Sequence, residues 1–134
     1  MSVAVRRSVL EDIEAHARDE RPNECCGLLV GRTDAIETSC RARNELSSPT
    51  RFRVAPEDHF AAIRLARRLG LDVIGAYHSH PYSLPTPSPT DIAEATPGEF
   101  LHLIAGVGPG DEPALLAWRL AGGNFMPVPL VTLW

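Results

Sequence analysis

Two histidines and an aspartate in the second half of the chain have side chains and a spacing that suit one metal ion. His78 and His80 flank Ser79, and Asp91 follows eleven residues after the second histidine. Two imidazoles and a carboxylate leave the fourth position of a tetrahedral zinc ion free for water, as in catalytic rather than structural sites. The spacing therefore predicts a catalytic metal centre of the hydrolytic kind.

A short strand is predicted to carry the two histidines. Residues 71–78 are apolar, rich in β-formers and small residues, and follow a turn at Gly70. Side chains two positions apart on a strand point to the same face, so His78 and His80 can converge on one ion while Ser79 points away.

A stiff loop and a helix start are predicted to return the aspartate to the histidines. Residues 81–89 contain four prolines, which exclude a strand or helix interior. Ser88 then suits an N-cap, Pro89 the first helical position and Asp91 the third, as in a capping box. The simpler alternative is that Asp91 only caps this helix and the histidines lie at an exposed strand end. Agreement between ligand types and geometry favours the metal centre.

These residues resemble the signature of the JAMM metallopeptidases, the MPN-domain family of zinc isopeptidases. That signature is a glutamate followed far downstream by His-x-His-Pro and Pro-Ser-x-x-Asp. The matching pieces are Glu24 before Cys-Cys-Gly-Leu-Leu-Val-Gly, residues 78–81 and residues 87–91, and the likeness spans roughly residues 8–120.

The resemblance implies a role for each of these side chains. His78, His80 and Asp91 would bind one zinc ion per chain, Glu24 would take a proton from the zinc-bound water, and Ser88 would help to stabilise the oxyanion. Taken alone, a glutamate at the start of a strand is usually only solvated. The apolar residues 25–30 nevertheless predict a strand buried on both faces, which would place this carboxylate near the interior, where it needs a polar or metal partner.

The resemblance also implies the fold and the substrate. The fold is an α/β arrangement, a curved mixed β-sheet flanked by helices in the MPN/JAMM layout, related to that of cytidine deaminases. Residues 1–134 are expected to form a single domain, since the motif elements are too widely spread for two. Small bacterial members similar to this chain act at the C-terminal tail of ubiquitin-like sulfur-carrier proteins, releasing an amino acid such as cysteine or trimming residues beyond a Gly-Gly terminus.

Hydrophobic periodicity, helix-capping residues and turn residues predict the other elements. A capping box beginning at Ser8 predicts a helix over residues 9–20, and Pro56 and Gly70 bound a second helix over 56–69, with Phe60, Ile63, Ala66 and Leu69 as its buried stripe. Strands are predicted near residues 25–31, 35–43, 50–54, 72–79, 100–106, 114–120 and 126–133.

Composition narrows the partners and the compartment. Thirteen basic and 17 acidic residues give a net charge of −4 without a basic stripe, which argues against a nucleic-acid partner. Arginines at 41, 43, 51 and 53 could form a solvated strand face or a basic edge for an acidic partner. The chain has three cysteines, which are expected to be core residues in a reducing cytoplasm rather than a disulfide framework or a catalytic nucleophile. No segment is long and apolar enough for a membrane span. The oligomeric state stays open, with a homodimer as one option.

Two other functions use the same residues. A non-catalytic MPN scaffold would bind partners through this fold, although such domains typically lack the metal ligands that are retained here. A facial triad of two histidines and one carboxylate could also hold Fe(II) for oxygen chemistry, although oxygenases of that kind usually order their ligands differently along an all-β barrel.

Overall fold

The computed structural model describes residues 2–95 and 100–134, and these residues form eight strands and three helices. In chain order the elements are β1 Val3–Arg6, α1 Arg7–Glu20, β2 Cys26–Arg32, β3 Ala35–Ala42, α2 Pro56–Leu69, β4 Asp72–Ser79, α3 Pro89–Glu94, β5 Leu101–Val107, β6 Pro113–Ala121, β7 Asn124–Val128 and β8 Leu130–Leu133.

All eight strands belong to one mixed sheet in the order β7-β6-β5-β4-β2-β3-β1-β8. The pairs β4–β5, β1–β3 and β1–β8 are parallel, and the other neighbours are antiparallel. Irregularities at residues 29–31 of β2 shift the register to both of its neighbours, and such bulges bend a sheet. The expected curved mixed sheet flanked by helices is confirmed.

The two longer helices pack on opposite faces of this sheet. One core cluster joins Ile13 of α1 to Leu29 of β2, and a second joins Ala62 of α2 to Leu28. Alternate residues of β2 therefore enter different cores, as the apolar run predicted, and the strand is buried along nearly its whole length. A fully buried leucine such as Leu29 contributes about 2–5 kcal/mol to the free energy of unfolding.

The second helix begins and ends as its sequence predicts. Pro56 occupies its first turn, and Gly70 ends it with a φ of 70°, a left-handed conformation that glycine adopts without strain. The predicted buried stripe is partly wrong, because Phe60 and Leu69 are 60% and 52% exposed. Ala66 of that stripe is buried as predicted, and it is joined by Ala62, which packs in the core cluster with Leu28.

Three other predictions differ from the structure. The first helix begins at Arg7 without a side-chain cap, so the capping box at Ser8 is wrong, because the short unpredicted strand β1 runs directly into the helix. The predicted strand 126–133 is two strands, since β7 ends before Pro129 and β8 begins after it, and the two lie at opposite edges of the sheet. A proline lacks the backbone donor that a continuous strand would need there.

Residues 50–54 do not form the predicted strand. They belong to an irregular segment, here called the 44–54 loop, which has one isolated bridge between Asn44 and Val54. The Asn44 amide organises this loop, because it donates to the backbone carbonyls of Glu24 at 3.1 Å and Arg51 at 3.0 Å. The loop is thereby tied to the start of β2.

The four alternating arginines are neutralised within the chain. Each guanidinium lies 2.8–3.2 Å from a carboxylate oxygen, and these pairs are Arg41–Asp19, Arg43–Glu57, Arg51–Glu94 and Arg53–Glu45. A solvated, internally paired face fits these contacts better than a basic edge waiting for an acidic partner.

Candidate metal centre

The end of β4 and the first turn of α3 bring His78, His80 and Asp91 together. One ligand atom from each lies within 4.8 Å of the others, and all three side chains are buried. Asp91 Oδ1 is 3.2 Å from His78 Nε2, and Asp91 Oδ2 is 3.0 Å from His80 Nε2. The structure thus places the three predicted ligands around one point.

The backbone around each ligand is held from two sides. Strand β4 pairs with β2 and β5, so the position of His78 is set from both neighbours. Helix α3 has the predicted capping box, in which Ser88 Oγ accepts the Asp91 N–H at 3.0 Å and Asp91 Oδ2 accepts the Ser88 N–H at 2.9 Å. Asp91 therefore caps the helix and also faces the histidines, which combines the two roles that the sequence left as alternatives.

A hydrogen bond fixes the ring orientation of His80. Its Nδ1 lies 2.9 Å from the backbone carbonyl of Leu84, an oxygen that can only accept. The proton of a neutral ring must then sit on Nδ1, which leaves the Nε2 lone pair facing the shared point. Outer hydrogen bonds of this kind set the tautomer of metal-binding histidines.

Phe52 fixes the ring of His78 in a different way. The two rings stack with their centroids 4.4 Å apart and their planes 17° from parallel. Sequence reasoning missed this contact, because it assigned residue 52 to a strand of the sheet. The one signal in the sequence was that Phe52 is an aromatic residue between the arginines of the possible basic edge. The stack removes most of the rotational freedom of the imidazole.

The charges of the site favour a cation. Burial lowers the pKa of the His78 imidazole more than Asp91 raises it, so this ring is held neutral. Burial alone would raise the pKa of Asp91, but contacts with His78 and His80 and the Ser88 N–H lower it well below its usual range. Burial alone would lower the pKa of His80, but contacts with Asp91 and the Leu84 carbonyl raise it, so a bound metal would displace the proton that its Nε2 shares with Asp91 Oδ2.

The donor atoms fit a tetrahedral metal. His78 Nε2 is buried and makes no hydrogen bond to any described residue, since its approach to Asp91 is close but poorly aligned. In a tetrahedral zinc site with bonds of roughly 2.0–2.1 Å, ligand atoms lie about 3.3 Å apart. The observed separations of 3.0 and 3.2 Å agree with that arrangement. An unpaired buried nitrogen would otherwise cost free energy.

Glu24 lies beside these ligands, just before β2. The backbone carbonyl of Ser48 accepts the Glu24 N–H at 2.9 Å. The next residue, Cys25, donates its backbone N–H to the hydroxyl of Ser79, which lies between the two histidines. The Glu24 side chain is only 4% exposed, and its Oε1 has no hydrogen-bond partner among the described residues. Burial raises its pKa to about 7, a shift that nearby His80 opposes and Asp91 adds to. A buried carboxylate with one free oxygen is suited to exchange a proton with water.

Ser88 and Glu24 line the same open cleft. This cleft has a volume of about 360 Å³ and is also bounded by His80, Thr50 and Tyr82. The Ser88 oxygen accepts the Asp91 N–H, so its own hydroxyl proton is available to a bound carbonyl. All five predicted site residues therefore lie at one place, three as a ligand group and two along the adjacent cleft.

The cysteines are poor candidates for a nucleophile. Burial raises the pKa of Cys25 to about 11 and that of Cys26 to about 12, so neither thiol ionises near neutral pH. All three cysteines are free thiols, as expected for core residues.

Two curated proteins are similar to this chain along most of its length. A desampylase from Haloferax volcanii is 31% identical over 107 residues, which cover 78% of this chain and 77% of that protein. A CysO-cysteine peptidase from Mycobacterium bovis is 25% identical over 130 residues, which cover 96% of this chain and 89% of that protein.

Solved structures share the fold, and the family assignment follows. A protein of Desulfitobacterium hafniense matches with a TM-score of 0.88 and 26% identity over 98% of this chain and 92% of its own. A structure described as JAMM, a metalloprotease-like zinc site in the proteasome and signalosome, matches with a TM-score of 0.56 and 20% identity over 98% and 99%, a likeness of fold alone. The family of prokaryotic homologues of the JAB domain, Prok-JAB, matches residues 6–121, and the chain belongs to this family.

Proposed function

We propose that the protein is a zinc-dependent peptidase or isopeptidase that hydrolyses an amide bond at the C-terminal tail of a ubiquitin-like or sulfur-carrier protein. The observation that carries this proposal is the meeting of two imidazole nitrogens and a carboxylate at one buried point. Beside them lies Glu24, whose Oε1 has no hydrogen-bond partner among the residues that the structure describes. The donor set matches zinc sites that retain an open position for water.

Each side chain has a chemical task in this reaction. His78, His80 and Asp91 would hold zinc, which when bound supplies a polarised substrate carbonyl and an acidified water. Glu24 accepts a proton from the attacking water and returns it to the leaving amine, and a pKa near 7 suits transfer in both directions. The Ser88 hydroxyl donates to the developing oxyanion.

The shape of the cleft supports a tail substrate. It lies between the 44–54 loop and the proline-rich turn after β4, and its walls include Pro49 and Pro81. An extended chain with small side chains, such as a Gly-Gly terminus, fits between two such walls and can lie beside the backbone of the loop. The names of the similar desampylase and CysO-cysteine peptidase support a protein tail or a carrier conjugate as the substrate class.

The cellular setting is part of the same proposal. Free thiols suit a reducing cytoplasm. In the described parts of the chain, no helix has the length and apolar character needed to cross a bilayer. We expect a single catalytic domain that works on a separate carrier protein without nucleic acid or membrane, and measurement of molecular mass in solution would test for a homodimer.

The decisive experiment measures metal content and cleavage together. The zinc-loaded protein is incubated with ubiquitin-like and sulfur-carrier fusions from its own genome, and the products are identified by mass spectrometry. We expect stoichiometric zinc and a cut directly after the carrier's Gly-Gly. Bound zinc without cleavage of any carrier would favour the non-catalytic scaffold.

Anaerobic assays address the iron alternative. Zinc-supported cleavage without oxygen is the expected result, whereas a requirement for Fe(II) and oxygen would favour an oxygenase. The mixed sheet with helices on both faces already differs from the all-β barrel usual for those enzymes.

A further inference from the structure

A second cavity meets the metal centre and has no task in the proposed chemistry. It has a volume of about 190 Å³ and is mostly apolar. His78 and Asp91 form part of its wall, whereas His80, Glu24 and Ser88 line the catalytic cleft. Three aromatic rings, from Phe52, Phe100 and Phe125, form other parts of the wall, and we call this cavity the phenylalanine pocket.

The walls of the phenylalanine pocket are already ordered. Phe52 is stacked on His78. The rings of Phe100 and Phe125 each meet His102 edge to face, with centroids 5.6 and 5.2 Å away. Such pairs hold aromatic rings in fixed orientations, so a guest would not have to create the pocket.

The volume of the pocket fits one side chain. An apolar cavity of roughly 150 Å³ takes up benzene, so about 190 Å³ accommodates a phenyl ring or a branched aliphatic group. A glycine leaves this space empty, and the whole of a folded partner cannot enter it.

The charged groups that line the pocket already have partners, since Asp91 faces the two histidines. Arg51 and Glu94, which also line it, pair with each other at 2.9 Å, and both are about half exposed. A guest ammonium or carboxylate would lose water and find those opposite charges already occupied. An uncharged apolar side chain loses nothing of this kind and gains from burial.

We propose that the phenylalanine pocket binds the side chain of the residue that follows the scissile bond, and that this residue is aromatic or a large aliphatic. The inference rests on the proposed function, in which glycine precedes the cut and has no side chain to fill the pocket. It makes Phe52, Phe100 and Phe125 specificity-determining residues. The released group is then an apolar amino acid or an extension beginning with one, rather than an acidic residue or the lysine of an isopeptide bond.

Two small chelators test the pocket without any carrier protein. Binding of acetohydroxamic acid and phenylacetohydroxamic acid to the zinc-loaded protein is measured by titration calorimetry. The phenyl compound is expected to bind about tenfold more tightly or better, since it adds one buried ring. Equal affinity of the two compounds would overturn the pocket but leave the metal centre standing. If neither compound binds, the metal centre on which the proposed function depends is contradicted, and the pocket proposal is contradicted with it.

Substitutions show where the phenyl group sits. Ala76→Leu extends a pocket-lining residue into the cavity and should abolish the phenyl advantage, whereas Phe125→Ala should shift the preference to the larger naphthylacetohydroxamic acid. Met126→Ala is the matched control, because its exposed neighbouring side chain does not line the pocket. A phenyl advantage unchanged in both Ala76→Leu and Phe125→Ala would place the ring elsewhere and contradict the proposal.

Carrier fusions test the specificity directly. Fusions ending in Gly-Gly-Phe or Gly-Gly-Leu should be cut at least tenfold faster, as kcat/KM, than those ending in Gly-Gly-Asp or Gly-Gly-Lys. Equal rates across the series, with cleavage intact, would overturn the pocket and leave the proposed function in place.

Discussion

The Cys25 backbone N–H donates to the Ser79 hydroxyl at 2.8 Å, and the Ser79 N–H donates back to the Cys25 carbonyl at 3.1 Å. This reciprocal pair joins the residue after Glu24 to the residue between His78 and His80. The proposed base and two proposed ligands are therefore fixed to each other by a contact that touches none of their side chains.

Ser79→Ala should loosen Glu24 relative to the metal ligands. Ser79 is fully buried, and loss of its hydroxyl leaves the Cys25 N–H without a partner, at a cost of about 1–3 kcal/mol in the free energy of unfolding. We expect kcat/KM to fall roughly tenfold to a hundredfold while zinc content is unchanged, because small displacements of catalytic groups are costly. Ser39→Ala, on β3, is the control, and an equal loss of activity there would contradict a positioning role.

Glu24→Gln should separate metal binding from catalysis. The amide has nearly the shape of the carboxylate but cannot accept the proton, so cleavage should fall about 10²–10⁴-fold with full zinc content. His78→Ala and Asp91→Ala should lose zinc as well, since each removes a ligand atom. For each variant, zinc content is measured by mass spectrometry and turnover is measured with a carrier fusion, and both are compared with the wild type. Unchanged turnover in Glu24→Gln would remove Glu24 as the base.

Phe52→Ala should weaken zinc binding although Phe52 offers no ligand atom. Without the stacked ring, His78 can rotate, and loss of such an orienting contact typically costs 10–100-fold in metal affinity. Competition with a chromophoric chelator measures that affinity. Phe60→Ala removes an exposed ring from α2 and should leave the zinc affinity unchanged. Equal affinities in the wild type and Phe52→Ala would show that the stack does not position His78.

Short-range patterns predicted the metal centre well. The period of a strand aligned His78 with His80, and the capping chemistry of Ser88 placed Asp91, so each motif needed only the geometry of its own segment. The second helix was predicted for the same reason, since its proline, charge bias and final glycine act locally.

Long-range contacts were beyond the sequence. The 44–54 loop is shaped by Asn44 and by its connection to Glu24, partners that periodicity does not reveal. Strands β7 and β8 diverge to opposite sheet edges because β8 pairs with β1, a strand of four residues that is too short for a recognisable pattern. Exposure of Phe60 depends on which face of α2 meets the sheet, and that choice is made by packing.

The stability of the protein should depend on pH through His16, a residue outside the catalytic machinery. Its ring is 4% exposed, and its Nδ1 lies 2.7 Å from the Tyr77 hydroxyl. Burial lowers its pKa to about 4, Arg41 adds to the shift, and Asp19 opposes it. The folded state therefore holds His16 neutral at a pH where the unfolded chain is already protonated.

The direction of the effect follows from proton binding. An unfolded histidine titrates near 6.5, so between pH 6.5 and 4 the unfolded state binds more protons, and the free energy of unfolding falls as the pH falls. The contribution of His16 is complete above pH 6.5 and decreases by about 1.4 kcal/mol per pH unit below it, roughly 3 kcal/mol in all.

Glu24, whose pKa burial raises to about 7, contributes a slope of opposite sign over part of this range, so the effect of His16 is the difference between wild type and variant. In urea titrations of the metal-free proteins, the stability difference between the wild type and His16→Gln, which still offers Tyr77 a partner, should shrink by roughly 3 kcal/mol from pH 6.5 to 4. The exposed His59→Gln should show no such change. A difference for His16→Gln that does not vary with pH would assign the acid sensitivity to other groups.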